Sequence, residues 1–424
     1  ALSGVDAVLP DSALEAYVVD AMARGARFLL DGGRADATFA APASPFGSIS
    51  AGETLAMHLQ RAHARIDIGN AYSLIAALRM IKSAREIATM REAARVTAIA
   101  MARGAARVTA GTDERTLIGA FIADCMALGA QRVAFAPIIK SGDNSLWPWR
   151  ILGAHYDRRN RALRAGELVI FDVGCERDHY ASDVGRTFPV GGRFTPRQRE
   201  LVEMVRRVSD AVIAAAKPGM TLADVQAVAA ATIPEAARPY MQTSLYFGHH
   251  LGLEAGDPSV PDAPLAPGMT FTIEPWYYNH DEGVAVFIED EILITPTGSE
   301  NLTAALPRRA ADLERMRAGR DPAMLDAGAL RTTTRDGVLA FSLDRAAGTV
   351  RVYDLLNGVD AATTAVCARP ESGELSPDDM SFVVRCSGAA APVFVNRDLS
   401  RPAGASCTHR CSVFASPVRG SRPR

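Results

Sequence analysis

The chain has 424 residues, enough for two or three domains with a sizeable core, and its 48% apolar and 22% charged residues are ordinary for a globular protein. A formal net charge of −2 without any basic run argues against a nucleic-acid partner. No window nears the ~20 consecutive apolar residues of a membrane-spanning helix, which argues against a membrane partner. The opening ALSGVDAVLP lacks an initiating Met, so a processed or truncated start is expected, and it shows no apolar signal core of its own, which leaves export open.

Residues 1–74 mix short apolar runs such as ARFLLDGG with the loop-like TFAAPASPFGSISAG, and read as part of an α/β domain. SAREIATMREAARVTAIAMARG follows, where Ser83 and Glu86 predict a capping box and Ile87, Met90, Ala94, Thr97 and Met101 keep helical spacing. A second helix is predicted from near Thr112 to Gly129. LVIFDVG and GRTFPVGG then read as a β-hairpin joined by a polar loop. The pattern recurs. A helix opens on Thr195–Pro196 and closes at Pro218–Gly219, TLADVQAVAAATI is a further helix, and TFTIEPWYY with VAVFIEDEILIT makes a second hairpin. In both hairpins a glycine begins a strand and a carboxylate sits six residues on, from Gly166 to Asp172 and from Gly268 to Glu274. Two related halves, each helix–helix–hairpin, are therefore expected. From residue 319 onward the composition changes: RTTTRDGVLAFSLDRAAGTVRVYDLLNG alternates like a β-hairpin, and the tail is basic and irregular.

Of the six cysteines, Cys125 and Cys175 read as reduced structural thiols. For Cys367, Cys386, Cys407 and Cys411 a disulfide set, a weak metal site and no role all stay open, with CTHRC at 407–411 spaced more tightly than a usual zinc site.

The strongest chemical signal is acids within apolar strands. Asp172 follows LVIF and Glu289 lies inside VAVFIEDEILIT, where an ionised carboxylate costs several kcal/mol to desolvate unless something pairs with it. The second hairpin core carries no Lys or Arg, so bound metal ions are the natural counter-charge. Asp172 and Asp183 come from the first hairpin, Glu274 and Glu289 from the second. Strand alternation puts Glu274 on the side of Thr270 and Thr272. Four carboxylates with His249 suffice for two divalent ions ~3.5–4 Å apart, the spacing of two-metal hydrolases.

The motifs LRMIKSAREIATMREAA, IIKSGDNSLWPWRILGAHYDRRNRALRAGELVIFDVG, YASDVGRTFPVGGRFTPRQRE, GHHLGLEAGD, PGMTFTIEPWYY and FIEDEILITPTGSENLT occur in that order. With them residues 75–318 resemble the pita-bread metallopeptidases, in particular Xaa-Pro aminopeptidases (aminopeptidase P) and Xaa-Pro dipeptidases (prolidases). The resemblance implies an α+β fold in three parts: a partial N-terminal creatinase-like domain over 1–74, a duplicated pita-bread catalytic domain over 75–318, and a β-rich or disordered extension over 319–424. It implies that Asp172 binds one metal, that Asp183 and Glu289 bridge both, and that His249 and Glu274 hold the second. The ions would be Mn²⁺, with Co²⁺ or Zn²⁺ as substitutes. His155 falls where the family binds substrate, and Tyr180 matches the tyrosine ahead of the bridging aspartate. Glu274 would take the proton of a bridging water that attacks the carbonyl before proline. Peptides with proline second, a homodimer and a cytoplasmic setting complete what is implied, with export left open.

Three positions depart from the family: Gly256 and Leu245 where histidines are usual, and Phe287 in place of an arginine. His250 either compensates at the substrate side or simply packs. His179 and His280 are stand-ins or solvated loop residues, while His58, His63 and His409 receive no role. Two other functions stay open beside the proline exopeptidase: a catalytically altered pita-bread protein that binds peptides or partners, and a methionine aminopeptidase.

Overall fold

The computed structural model describes residues 10–35, 37, 39, 50–146, 160–241, 248–260, 262–318, 332–333, 339–345, 347–354, 359–376, 381–388 and 392–396. Chain contacts divide it into two units, Ala1–Ile81 with Asp257–Ala263, and Lys82–Gly256 with Pro264–Arg424.

In the first unit α1 (Leu14–Ala23), β1 (Phe28–Leu30), α2 (Ala51–Ala62), β2 (Ile68–Asn70) and α3 (Tyr72–Met80) follow one another, and β1 and β2 pair in parallel. Ser50 and Glu53 close a capping box at the head of α2. Asn70 knits the connections, its amide donating to the Arg34 and Ala37 carbonyls while its oxygen accepts from Gly32 and Tyr72 N–H. Asp257 belongs here: it is buried and forked by Arg79 at 3.1 and 2.5 Å.

The second unit opens with α4 (Ala84–Ala106), capped by Ser83 and Glu86, and α5 (Glu114–Ala127), which starts one residue after its Asp113 cap. Met90, Ala94, Thr97 and Met101 form the buried stripe of α4, with Ile87 half-buried. Then come β3 (Arg132–Val133), β4 (Ile138–Ser141), β5 (Leu168–Val173), β6 (Cys175–Arg177), β7 (Tyr180–Ala181) and β8 (Val184–Pro189). The second half repeats the order: α6 (Pro196–Ala215, capped by Thr195 and Gln198), α7 (Leu222–Thr232), β9 (Thr270–Ile273), β10 (Trp276–Asn279), β11 (Val284–Phe287) and β12 (Asp290–Ile294). β13 (Ser299–Asn301) and α8 (Ala310–Arg317) complete this duplicated α+β, pita-bread architecture.

Each expected hairpin is present but interrupted. The outer pair β5–β8 keeps its antiparallel register into β6–β7, and β9–β12 into β10–β11. Between outer and inner pairs the ladder breaks, at Gly174 opposite Asp183 and at Glu274–Pro275 opposite Ile288–Glu289. Proline has no N–H to give a ladder, which fits the second break. At the first, a Cβ on Gly174 would strike the Ser182 carbonyl oxygen, so the close approach requires glycine. A pair of backbone hydrogen bonds between Gly185 and Glu289 (3.3 and 2.9 Å) joins the two hairpins edge to edge.

The core lies between the sheets and α4. Phe171 meets Phe188 edge-on at 5.3 Å and leans on Gly104 of α4. The opposite face of β5, carrying Ile170 and Asp172, packs Ile170 against Leu146, Trp276, Ala285 and Phe287.

Cys125 and Cys175 are not reduced thiols but a disulfide, with Cα atoms 5.7 Å apart. Their separation of 50 residues hides the reason: β3 follows α5 directly and pairs Val133 with Cys175, which brings the end of α5 onto β6. Cys367 and Cys386 form a second disulfide, and Cys407 and Cys411 lie outside the described residues.

Beyond α8 two antiparallel sheets are described. The first holds β14 (Thr332–Thr333), β15 (Leu339–Asp344), β16 (Thr349–Asp354) and β17 (Val359–Ala365), and the second β18 (Pro370–Leu375), β19 (Ser381–Cys386) and β20 (Val393–Asn396). Phe341, Leu343, Val350, Val352, Phe382, Val384 and Val395 form one core, with the Phe341 and Phe382 rings stacked at 5.3 Å. The described part of 319–424 is β-sheet. Among the described residues no helix is long and apolar enough to cross a membrane.

Candidate metal centre

Register alone assembles the acids. Residues directly opposite on neighbouring strands share a face. Asp172 pairs with Gly185, Gly185 bridges to Glu289, and continuing the β9–β12 register from Ile273–Asp290 sets Glu274 opposite Glu289. Three acids thus stand in one row across four strands, with a glycine in the gap. Gly185 is needed there, because an added Cβ would run into the Phe287 ring and lie 2.9 Å from Glu289 Cβ. Asp183, just before β8 and two residues from Gly185, brings its carboxylate to the same cluster, beside Glu289 and His249.

His249 arrives from the loop before β9 and is fixed by its backbone: its carbonyl accepts from Thr272 N–H (2.9 Å) and its N–H donates to Thr272 Oγ1 (3.2 Å). Nδ1 lies 3.1 Å from the His250 carbonyl, an acceptor that keeps a proton on Nδ1 and turns Nε2 toward the acids. Nε2 sits 3.5 Å from Asp183 Oδ2 and 3.6 Å from Glu274 Oε1. Ligand atoms of Asp183, His249 and Glu289 lie within 4.8 Å of one another. Asp172, Asp183, Glu274 and Glu289 are all buried, Glu289 at 1% exposure. Burial pushes the His249 imidazole down, but the Asp183 and Glu274 carboxylates outweigh it and hold it up at about 9.

This donor set fits divalent cations. Carboxylate oxygens and one imidazole suit a hard or borderline ion, and Asp183 Oδ1 is buried without a hydrogen-bond donor, a position a cation satisfies. The fully buried Arg186 takes Asp290, not an acid of this cluster, as its hydrogen-bonded carboxylate. It donates to Asp290 (2.6 Å) on the opposite face of β12 and to the carbonyls of Gly185 (2.7 Å), Glu289 and Pro307 (2.8 Å).

His155 and Leu245 lie outside the described residues. The Tyr180 hydroxyl donates to Glu86 Oε1 at 2.7 Å, which ties it to the head of α4. His250 is buried at 4% exposure and bridges to Phe271 on β9. His179 and His280 are exposed loop residues. A side chain at Gly256 would meet open space, and Phe287 is buried among Trp276, Ala285, Leu146 and Ile170.

Two residues escaped the sequence reading: Arg186, and Glu291, which accepts from Asp183 N–H at 3.1 Å and from the Ser182 hydroxyl. Burial pushes the Glu291 carboxyl up to about 8, against those two hydrogen bonds. The period-2 spacing of Glu289 and Glu291 was the available signal.

Residues 88–296 match metallopeptidase family M24. The chain is 32% identical over 262 residues to the mitochondrial intermediate cleaving peptidase 55 of Arabidopsis thaliana, covering 57% of this chain and 52% of that protein. It is 31% identical over 268 residues to the Xaa-Pro aminopeptidase of Escherichia coli, covering 56% of this chain and 59% of that one. The chain thus spans about half the length of the curated relatives it matches. The structure of the Pseudomonas aeruginosa aminopeptidase PepP superposes with a TM-score of 0.56 at 29% identity, over 63% of this chain and 67% of that one.

Proposed function

Because residues 88–296 form a metallopeptidase family M24 domain, we propose that this chain is a metal-dependent exopeptidase that hydrolyses the peptide bond before proline. The observation that carries the reading is the gathering of Asp183, His249 and Glu289 within 4.8 Å, with Glu274 3.6 Å from the same imidazole nitrogen. Asp172, Asp183, His249, Glu274 and Glu289 would hold two divalent ions, Mn²⁺ first among them. When bound, such ions polarise the scissile carbonyl and acidify water.

The chain's own residues supply the rest. Glu274 sits at the ladder break with Thr272 Oγ1 3.4 Å from its Oε1, which steers its carboxylate for a proton-accepting role. The His250 carbonyl orients the His249 ring through its Nδ1–H, and the Gly185–Glu289 bridge fixes the distance between the two hairpins. Proline offers no N–H, so its recognition rests on shape. His155 remains the proposed substrate contact and Tyr180 a residue that orients the Asp183 loop. The relatives' names, Xaa-Pro aminopeptidases among them, favour aminopeptidase over dipeptidase.

A second reading rests on Gly256 and Phe287, which place no polar side chain where the family carries His and Arg: a peptide-binding protein without turnover. Loading the protein with Mn²⁺ and assaying Xaa-Pro-Yaa peptides beside Xaa-Pro dipeptides and Met-Ala peptides decides. Cleavage before proline that disappears in Asp183→Ala supports the exopeptidase. Two bound ions without cleavage supports the binding protein, and cleavage after Met alone supports a methionine aminopeptidase.

A further inference from the structure

Glu289, Asp290 and Glu291 are three consecutive buried acids where β12 begins. Strand alternation sends Glu289 and Glu291 to one face and Asp290 to the other, where Arg186 meets it. Glu291 is no member of the five-residue donor set, yet it is fully buried. Its Oε1 accepts the Asp183 backbone N–H at 3.1 Å and the Ser182 hydroxyl. Its main chain is pinned in turn, with N–H on Thr303 Oγ1 at 3.2 Å and a ladder place opposite Thr272.

The local reason lies in the break between β7 and β8. Ser182 N–H still finds the Cys175 carbonyl at 3.1 Å. The next residue, Asp183, has left the ladder, and a buried N–H at such a point needs an acceptor from elsewhere. The acceptor comes from the other hairpin, 108 residues along the chain. A buried carboxyl group is costly in this position, and an apolar side chain of its size would be cheaper if filling space were its only task.

We propose that Glu291 is a positioning residue for the metal centre: by holding the Ser182–Asp183 peptide it sets where the Asp183 carboxylate stands relative to His249 and Glu289. The proposal rests on the metal-site reading above, and a readout other than turnover separates the two. Outer partners of metal ligands of this kind alter metal affinity by about 10–100-fold.

The test is a calorimetric Mn²⁺ titration of the full chain, with the electron paramagnetic resonance spectrum of the bound ion recorded alongside. Glu291→Leu, which removes both acceptor oxygens, is expected to bind Mn²⁺ about 10–100-fold more weakly and to change the spectrum. Glu291→Gln keeps an oxygen for the Asp183 N–H and is expected to recover most of the affinity. Should the Leu variant not fold, Ser182→Ala, which withdraws the hydroxyl from Oε1, is expected to give a smaller loss in the same direction. Unchanged affinity in Glu291→Leu, or in Ser182→Ala where that variant must serve, overturns the proposal, as does a loss as large in Gln as in Leu. If Asp183→Ala still abolishes binding in that case, the metal site stands and only the positioning role falls. If Asp183→Ala binds like the parent, both fall.

Discussion

Removing the guanidinium of Arg186 exposes how the two hairpins are held together. Its Nε donates to the Pro307 carbonyl at 2.8 Å, one terminal nitrogen to the Gly185 and Glu289 carbonyls, and the other to Asp290 Oδ1 at 2.6 Å and the Leu306 carbonyl at 3.3 Å. Both members of the pair have 0% exposure. Breaking a buried ion pair from one side costs about 3–5 kcal/mol, because the remaining charge stays buried. Thr303 Oγ1 at 2.8 Å and Arg308 Nε at 3.6 Å still face Asp290, which places Arg186→Leu at the lower end of that range. For a domain of this size each kcal/mol is worth roughly 2–4 °C, so the melting temperature should fall by about 6–12 °C. Scanning calorimetry of the parent, Arg186→Leu, and Arg186→Leu combined with Asp290→Leu measures it. The double variant is expected to regain much of the loss, since replacing both ions by apolar groups is often close to neutral. A single variant that melts within about 2 °C of the parent refutes the reasoning, because the cost of the stranded charge would then be absent.

Gly185→Ala should destabilise the protein by about 1–3 kcal/mol through overpacking against Phe287, and weaken Mn²⁺ binding by displacing Glu289. An unchanged denaturation midpoint would show that the ring moves aside freely. Removing the Cys125–Cys175 disulfide by paired Ser substitutions should cost about 2–4 kcal/mol, and peptide mapping without reductant should find both cysteines protected from alkylation. Burial raises the Glu86 carboxyl, but hydrogen bonds from Ser83 and Tyr180 hold it below its ordinary value. The stability it lends is therefore present above the ordinary carboxylate pKa and lost as pH falls through the lowered one. Tyr180→Phe should flatten this acid limb in denaturation midpoints measured across pH 3–6, and a parallel shift at every pH would contradict it.

The helices were legible because their signals are local: Ser83 with Glu86 and Thr195 with Gln198 sit three residues apart and cap as the spacing predicts. The acids were legible for the same reason, since Asp172 and Glu289 each stand in an apolar run whose desolvation cost demands a partner. What local reading missed were pairings between distant residues. Cys125 meets Cys175 only because α5 and β3 fold back onto β6, and Arg186 finds Asp290 104 residues away across the join of the hairpins. Tyr180 matched a motif, but its hydroxyl partner lies on α4, 94 residues earlier. The interrupted hairpins were half visible. Pro275 marks one break in the sequence, whereas Gly174 reveals the other only once the Ser182 carbonyl is seen against it.

A titration of the metal-free chain with Mn²⁺, followed by calorimetry and by metal analysis after desalting, is the measurement on which the metal centre stands or falls. Two equivalents per chain are expected for the parent, with binding lost in Asp183→Ala and retained in a variant of the exposed His280. No ion bound by the parent, or the same number held after Asp183→Ala, would contradict the convergence of the two hairpins on a pair of cations.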